Sequence, residues 1–200
     1  MFSRLVIATH NRAKASEMTA ILARAWPKVA FLSLADFPGA REPEETGSTY
    51  AENALIKARA AAGATGEWAI ADDAGLEIDA LGGEPGLYSK RFAGEETPFP
   101  EKMRLILERM ATVPDDHRAA RFRCAIALCP LAGEPLELEA TCEGRIAREP
   151  RGEGGFGYDP IFLLPELGRT MAELSADEKH AVSHRGRVLR ALVAQTNPNP

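Results

Sequence analysis

The stretch AIADDAGL, residues 69–76, constrains this chain more than any other. An apolar run of strand character carries two adjacent aspartates, Asp72 and Asp73, and then meets Gly75. Carboxylates are rarely buried unless they are paired or bind a metal. On a strand, neighbouring side chains point to opposite faces, so only one of the two can aim into a given cleft. Carboxylate oxygens suit Mg²⁺, which usually takes one or two carboxylates together with substrate phosphates. The alternative is a turn built on the Asp pair ahead of Gly75.

The rest of the chain supplies a sheet around this run. Residues 4–8, RLVIA, read as a first strand. Asn11 is placed to cap a helix in which Met18, Ile21, Leu22 and Ala25 recur at helical spacing up to Trp26 and Pro27. A second strand spans about 29–34, followed by a polar loop over 35–48. Thr49 and Glu52 have capping-box spacing and open an alanine-rich helix to about residue 63. The aspartate strand covers about 68–72, and LEIDAL, 76–81, reads as another short extended piece. A helix follows at about 98–111, then two β-rich segments at 118–129 and 136–148. A glycine-rich loop, GEGGFGYDP, leads into the apolar IFLL. Ser175 and Glu178 form a second capping box before a helix expected to run through VLRALVAQ, and the tail from 196 to 200 reads as frayed. This mixture predicts an α/β protein with a long twisted mixed sheet, helices on both sides and two lobes. No linker is long enough to separate independent domains, so residues 1–200 read as a single domain.

Composition narrows the partners. The 200 residues carry a formal net charge of −5 and no lysine- or arginine-rich run, which argues against nucleic acid or a membrane surface as a partner. No stretch approaches the roughly 18 apolar residues of a membrane span, and the start, MFSRLVIATHN, has too short an apolar run for a secretory signal. The three cysteines, an odd number without a Cys-x-x-Cys, read as reduced thiols of a cytoplasmic protein.

Four further constellations could carry chemistry. THNRAK, 9–14, sits where a strand hands over to a helix, with exposed N–H groups, a positive dipole end and Lys14 in the first turn. It could bind phosphate without the Walker pattern, or simply carry a surface lysine. In EETGSTYAENALIKA, 44–58, Asn53 and Lys57 share one helix face and Glu44 and Glu45 precede them; the alternative is a solvated loop and helix face. Gly152, Gly154 and Gly157 formally match the dinucleotide-binding glycine pattern, but that pattern must open a helix, and here Tyr158, Asp159, Pro160 and an apolar run follow. The loop reads better as one that presents Phe156 to a flat ligand, or as a plain loop with a packed aromatic. In SADEKHAVSHRGR, 175–187, Lys179, His184 and Arg185 could grip carbonyl or phosphate oxygens, or form a solvated basic face.

In order and content, VIATHNRAK, EETGSTYAENALIKA, AIADDAGLEIDALGGEPGLYSKRFAG, REPRGEGGFGYDPIF and AELSADEKHAVSHRGR together resemble the inosine triphosphate pyrophosphatase family, across about residues 5–190. The resemblance implies an Mg²⁺-dependent enzyme that cuts deaminated purine nucleoside triphosphates (ITP, dITP, XTP) between the α- and β-phosphates. It also implies a homodimer and an elongated α/β fold with the active-site cleft between two lobes. By motif, Thr9, His10, Asn11, Arg12, Ala13 and Lys14 form the N-terminal substrate loop. Asp73 is the catalytic base and a metal ligand, with Glu45 or its neighbour Glu44 completing the metal site. Lys57 lies near the phosphates, Ala74 follows the acidic pair, Phe156, Gly157, Tyr158 and Asp159 form a substrate loop, and Lys179, His184 and Arg185 complete the pocket. Asp72 would face away from the metal or hold a contact to the groups around it. His184 and Arg185 as donors would favour a 6-oxo base over the 6-amino group of adenine. Guanine shares the 6-oxo group, so that contact alone does not exclude GTP. The chain departs from the family at His10, where glycine is common, and at Ala74, where a serine often contacts substrate. A pyrophosphatase for modified or pyrimidine triphosphates, and a non-catalytic nucleotide-binding module, are the competing readings.

Overall fold

The computed structural model describes residues 2–196; most of the tail expected to fray lies outside them. Seven strands form one mixed sheet: β1 (Arg4–Ile7), β2 (Ala30–Ser33), β3 (Trp68–Ile78), β4 (Ala119–Cys129), β5 (Leu136–Ile146), β6 (Phe162–Leu164) and β7 (Arg169–Thr170), in the spatial order β2-β1-β3-β4-β5-β6-β7. β1 runs parallel to both β2 and β3, whereas β6 is antiparallel to β5 and β7. The helices are α1 (Arg12–Ala25), α2 (Tyr50–Thr65), α3 (Phe99–Arg109), α4 (Ala176–Val182) and α5 (His184–Thr196).

The chain divides into two compact units. One comprises Met1–Asp73, Cys124–Ala140 and Arg185–Pro200, the other Ala74–Arg123 and Thr141–His184. In the first, the alanine-rich α2 buries Ala54, Ala58, Ala61 and Ala62 in a cluster with Val6, Ala69, Ala71 and Ala127. Small side chains on helix and sheet let the backbones approach closely, and alanine costs the helix nothing in propensity. In the second, Leu76, Ile78, Ile106, Phe122, Ile161 and Phe162 anchor a larger apolar core.

Local signals set the helix starts. Asn11 Oδ1 accepts the Lys14 N–H at 3.1 Å, and Thr49 Oγ1 accepts that of Glu52 at 3.1 Å. The Glu52 carboxylate reaches back to the N–H and hydroxyl of Ser48. The Ser175–Glu178 capping box forms as expected.

Two expectations from the sequence are corrected. β3 does not end at the aspartates but runs eleven residues, through Asp72, Asp73 and Gly75 to Ile78, and DAL, 79–81, is a short 3₁₀ turn rather than an extended piece. The C-terminal helix is not continuous. Ser183 leaves the helical region (φ −67°, ψ 156°) and separates α4 from α5.

Candidate active site

With the aspartates in the middle of a strand, their alternation separates them into two environments. Asp73 meets α2. Lys57 Nζ lies 3.1 Å from Asp73 Oδ1 and 2.7 Å from Glu45 Oε1, so one ammonium bridges two carboxylates. Asn53, one helical turn before Lys57, donates from Nδ2 to Asp73 Oδ2 at 3.2 Å. Its amide orientation is fixed from behind, because the Gly47 N–H donates to Asn53 Oδ1 at 2.8 Å. A Cβ on Gly47 would stand 2.7 Å from that oxygen, so the loop tolerates only glycine at this approach.

Burial raises the Asp73 carboxyl above its ordinary value; Lys57 opposes the shift and the nearby Glu45 adds to it. Burial pulls the Lys57 ammonium down, but Asp73, Asp72 and Glu45 outweigh it and push it up to about 12. The site therefore holds a permanent cation beside a carboxylate whose proton affinity is enhanced. Sequence left Glu44 and Glu45 as alternatives; Glu45 is the one that turns inward to Lys57, and Glu44 is exposed.

Asp72 points into a different network. Arg185 donates to Asp72 Oδ2 from Nη2 at 2.7 Å and from Nε at 3.1 Å, and its Nη1 donates to Glu17 Oε2 at 2.7 Å. Lys14 Nζ stands 3.3 Å from the same Asp72 oxygen. Burial would raise the Asp72 carboxyl, but Lys14, Arg185 and Lys57 overcome it and hold the group far below the usual carboxylate range. Among the described residues Asp72 Oδ1 accepts no hydrogen bond. Lys14 and Arg185, read from sequence as facing substrate, are both drawn to Asp72, and Arg185 is only 2% exposed.

The N-terminal loop arranges itself around its own backbone. Thr9 Oγ1 accepts the Asn11 N–H, and the His10 N–H donates to Glu42 Oε1 at 2.6 Å. His10, Asn11 and Arg12 are exposed, and Thr9, Ala13 and Lys14 are half-buried. Among the described residues Ala93 is the only non-glycine with a positive φ, so His10 occupies the family's glycine position without backbone strain.

The remaining predicted residues lie in the second unit, apart from Arg185. Lys179 Nζ bonds Asp159 Oδ2 at 2.6 Å, both side chains being buried, and the Phe156 N–H donates to the same oxygen at 2.8 Å. The Lys179 ammonium stands 4.6 Å from the centroid of the half-buried Phe156 ring. Gly155 makes this possible: at φ +69° its absent Cβ would lie 2.0 Å from Asp159 Oδ2. Gly157, also at positive φ, completes the turn. His184 stacks on Phe122, ring centroids 4.8 Å apart and planes 25° from parallel. Ala74 is half-buried.

Within the predicted substrate loop, Tyr158 is 3% exposed, donates its hydroxyl to Ser89 O at 2.9 Å and packs edge-on against Phe99. Sequence also gave no role to Glu17, Phe122 or Gly47. Glu17 is three residues after Lys14 on α1, a spacing that places the two on one helix face.

Among the described residues no three His, Cys, Asp or Glu side chains gather as a metal cage. Mg²⁺ does not need one, since it keeps waters and takes phosphate oxygens from its substrate. Glu45 and Asp73, two carboxylates meeting at Lys57, make a donor set of the size this ion uses, and a cation there would relieve their mutual repulsion.

The Ham1 family model matches residues 5–195. The chain is 49% identical over 194 residues to a dITP/XTP pyrophosphatase of Desulforamulus reducens, covering 97% of this chain and 96% of that one. It is 50% identical over 192 residues to a dITP/XTP pyrophosphatase of Geobacillus kaustophilus, covering 96% and 93%. Among solved structures, a HAM1 protein from Coxiella burnetii matches with a TM-score of 0.87 at 43% identity, covering 100% of both chains. The Ham1 protein of Staphylococcus aureus matches with a TM-score of 0.86 at 38% identity, covering 98% of both.

Proposed function

The chain belongs to the Ham1 family, and on that premise we propose that it hydrolyses deaminated purine nucleoside triphosphates, dITP, ITP and XTP, to the monophosphate and pyrophosphate, keeping those nucleotides out of DNA and RNA. The observation that carries the proposal at the level of residues is the Glu45–Lys57–Asp73–Asn53 cluster.

A triphosphate brings about four negative charges near neutral pH, which a chain of net charge −5 must meet with local positive charge. Lys57 stays protonated throughout the neutral range and supplies it beside Asp73. Asp73 takes the proton of the attacking water as its oxygen bonds to the α-phosphorus; the α–β anhydride bond breaks and its electrons leave with pyrophosphate. A carboxyl whose pKa is raised is the better base for this step, provided it is ionised. Asn53 keeps Asp73 oriented, and Lys57 restrains its other oxygen. Glu45 and Asp73 would hold Mg²⁺, which when bound neutralises charge on the phosphate oxygens.

Phe156, with Lys179 beneath it, offers a stacking surface for the base. His184 and Arg185 are the proposed donors to the 6-oxo group. Arg185 would be held in a fixed orientation by Asp72 and Glu17, which makes Asp72 a positioning residue. The three cysteines are free and buried, which supports a reducing, cytoplasmic setting. Among the described residues no helix is long and apolar enough to cross a membrane. A homodimer without disulfides is the proposed assembly, and light scattering under reducing conditions at micromolar concentration should give twice the chain mass; a monomer mass would contradict it.

The experiment is a comparison of pyrophosphate release from ITP, XTP, GTP, dTTP and ATP with Mg²⁺. ITP and XTP should be preferred. A preference for dTTP would point instead to a pyrophosphatase for pyrimidine nucleotides, and absence of turnover on all five to a binding module.

A further inference from the structure

A groove of 360 Å³ in the second unit is lined by four arginines, Arg118, Arg145, Arg148 and Arg151, against two carboxylates, Asp115 and Glu149. This excess of positive side chains stands out in a chain whose net charge is negative. Arg118 is the unusual member. It is 2% exposed, and its guanidinium donates only to backbone carbonyls: Nε to Ile146 O at 2.8 Å, Nη1 to Met110 O at 2.7 Å and to Val113 O at 3.4 Å, Nη2 to Ala147 O at 2.9 Å. Among the described residues no carboxylate pairs with it. Carbonyl oxygens satisfy its donors, and no carboxylate among those residues touches it, whereas buried charges are ordinarily paired directly. Burial, with Arg148 nearby, lowers its pKa, and Asp115 only partly opposes the shift.

The other three arginines differ in how firmly they are held. Arg145 is exposed, and among the described residues its side chain makes no hydrogen bond or ion pair. Arg148 reaches Asp115 at 2.7 Å, with both side chains more than half exposed, so that pair is weak and exchangeable. Arg151 contacts Gly168 O at 3.3 Å and lies 3.6 Å from Glu173. A multiply charged oxyanion could be met by Arg145 and Arg148 as planar forks over the fixed charge of Arg118.

We propose that this groove is a binding site for a phosphate-class oxyanion. None of its residues belongs to the Asp72–Asp73 site, so the groove stands whether or not the chain hydrolyses ITP. Free pyrophosphate and the phosphate of a nucleoside monophosphate share the required chemistry.

The test titrates the full chain with sodium pyrophosphate, and separately with IMP, in metal-free buffer, by calorimetry and by the Nε resonances of ¹⁵N-labelled arginine. The expected result is saturable shifts of the Arg118, Arg145 and Arg148 signals. In the Arg145→Gln/Arg148→Gln double variant, affinity for the same probe should fall about tenfold or more, with the melting temperature and the basal hydrolysis rate unchanged. Shifts with pyrophosphate alone identify a free oxyanion as the ligand; shifts with IMP as well identify the phosphate group wherever it is carried. No arginine shifts with either probe, or equal affinity in the double variant, would overturn the proposal.

Discussion

Replacing Arg185 with methionine should cost the protein far more stability than an ordinary substitution. The change deletes two donors to Asp72 Oδ2, at 2.7 and 3.1 Å, and one to Glu17 at 2.7 Å. Asp72 is 2% exposed, so water does not replace the lost partner, and Lys14 at 3.3 Å remains its nearest cation. Breaking a buried pair by removing one member costs about 3–5 kcal/mol, because the other charge is stranded. For a chain of this size each kcal/mol moves the midpoint by roughly 2–4 °C, so Tm should fall by about 6–20 °C. The pH dependence has a definite sign. Asp72 is held below its ordinary value of 3.8 in the folded state. Its contribution is therefore complete above the unfolded pKa and is lost as pH falls through the folded value. In the variant, Asp72 protonates more readily, so the deficit relative to the parent should shrink on acidification below about pH 4. Urea unfolding at pH 7 and pH 3.5, with Asp72→Asn and the double variant completing a cycle, measures both effects. A loss under about 1 kcal/mol at pH 7 would refute the buried pair as an energetic unit.

Asp73→Asn should reduce ITP hydrolysis by about 10²- to 10⁴-fold while the variant still folds, because Lys57 keeps Glu45 as a partner at 2.7 Å; near-parental turnover of the folded variant would remove Asp73 from the mechanism. Glu45→Gln should raise the Mg²⁺ concentration needed for half-maximal rate by about tenfold or more, whereas Glu44→Gln should leave it unchanged, as metal titrations of the rate will report. Gly155→Ala should cost about 1–3 kcal/mol from its positive φ alone, and more if the Cβ displaces Asp159 from Lys179; urea midpoints check it.

What could be read in the sequence was what local chemistry determines. Asn11 and Ser175 announce their helices because a cap bond spans only three residues. Asn53 and Lys57 could be placed on one face by spacing alone. β3 reads too short in the sequence because DDAG resembles a turn when isolated, whereas the strand's continuation depends on neighbours far along the chain. The break at Ser183 was masked by a capping box upstream and an apolar run downstream, both sound helix signals. The Asp72–Arg185 pair spans 113 residues, and no pattern in a single chain connects them. Gly47 likewise reads as a loop glycine until its N–H is found orienting Asn53.

Product identification is the most direct test of the central claim. Purified protein is incubated with ITP and Mg²⁺, and the nucleotides and phosphates are separated by ion exchange. Attack at the α-phosphorus, with Asp73 as base, yields IMP and pyrophosphate in equal amounts from the first turnovers. A dominant IDP peak with orthophosphate would contradict it.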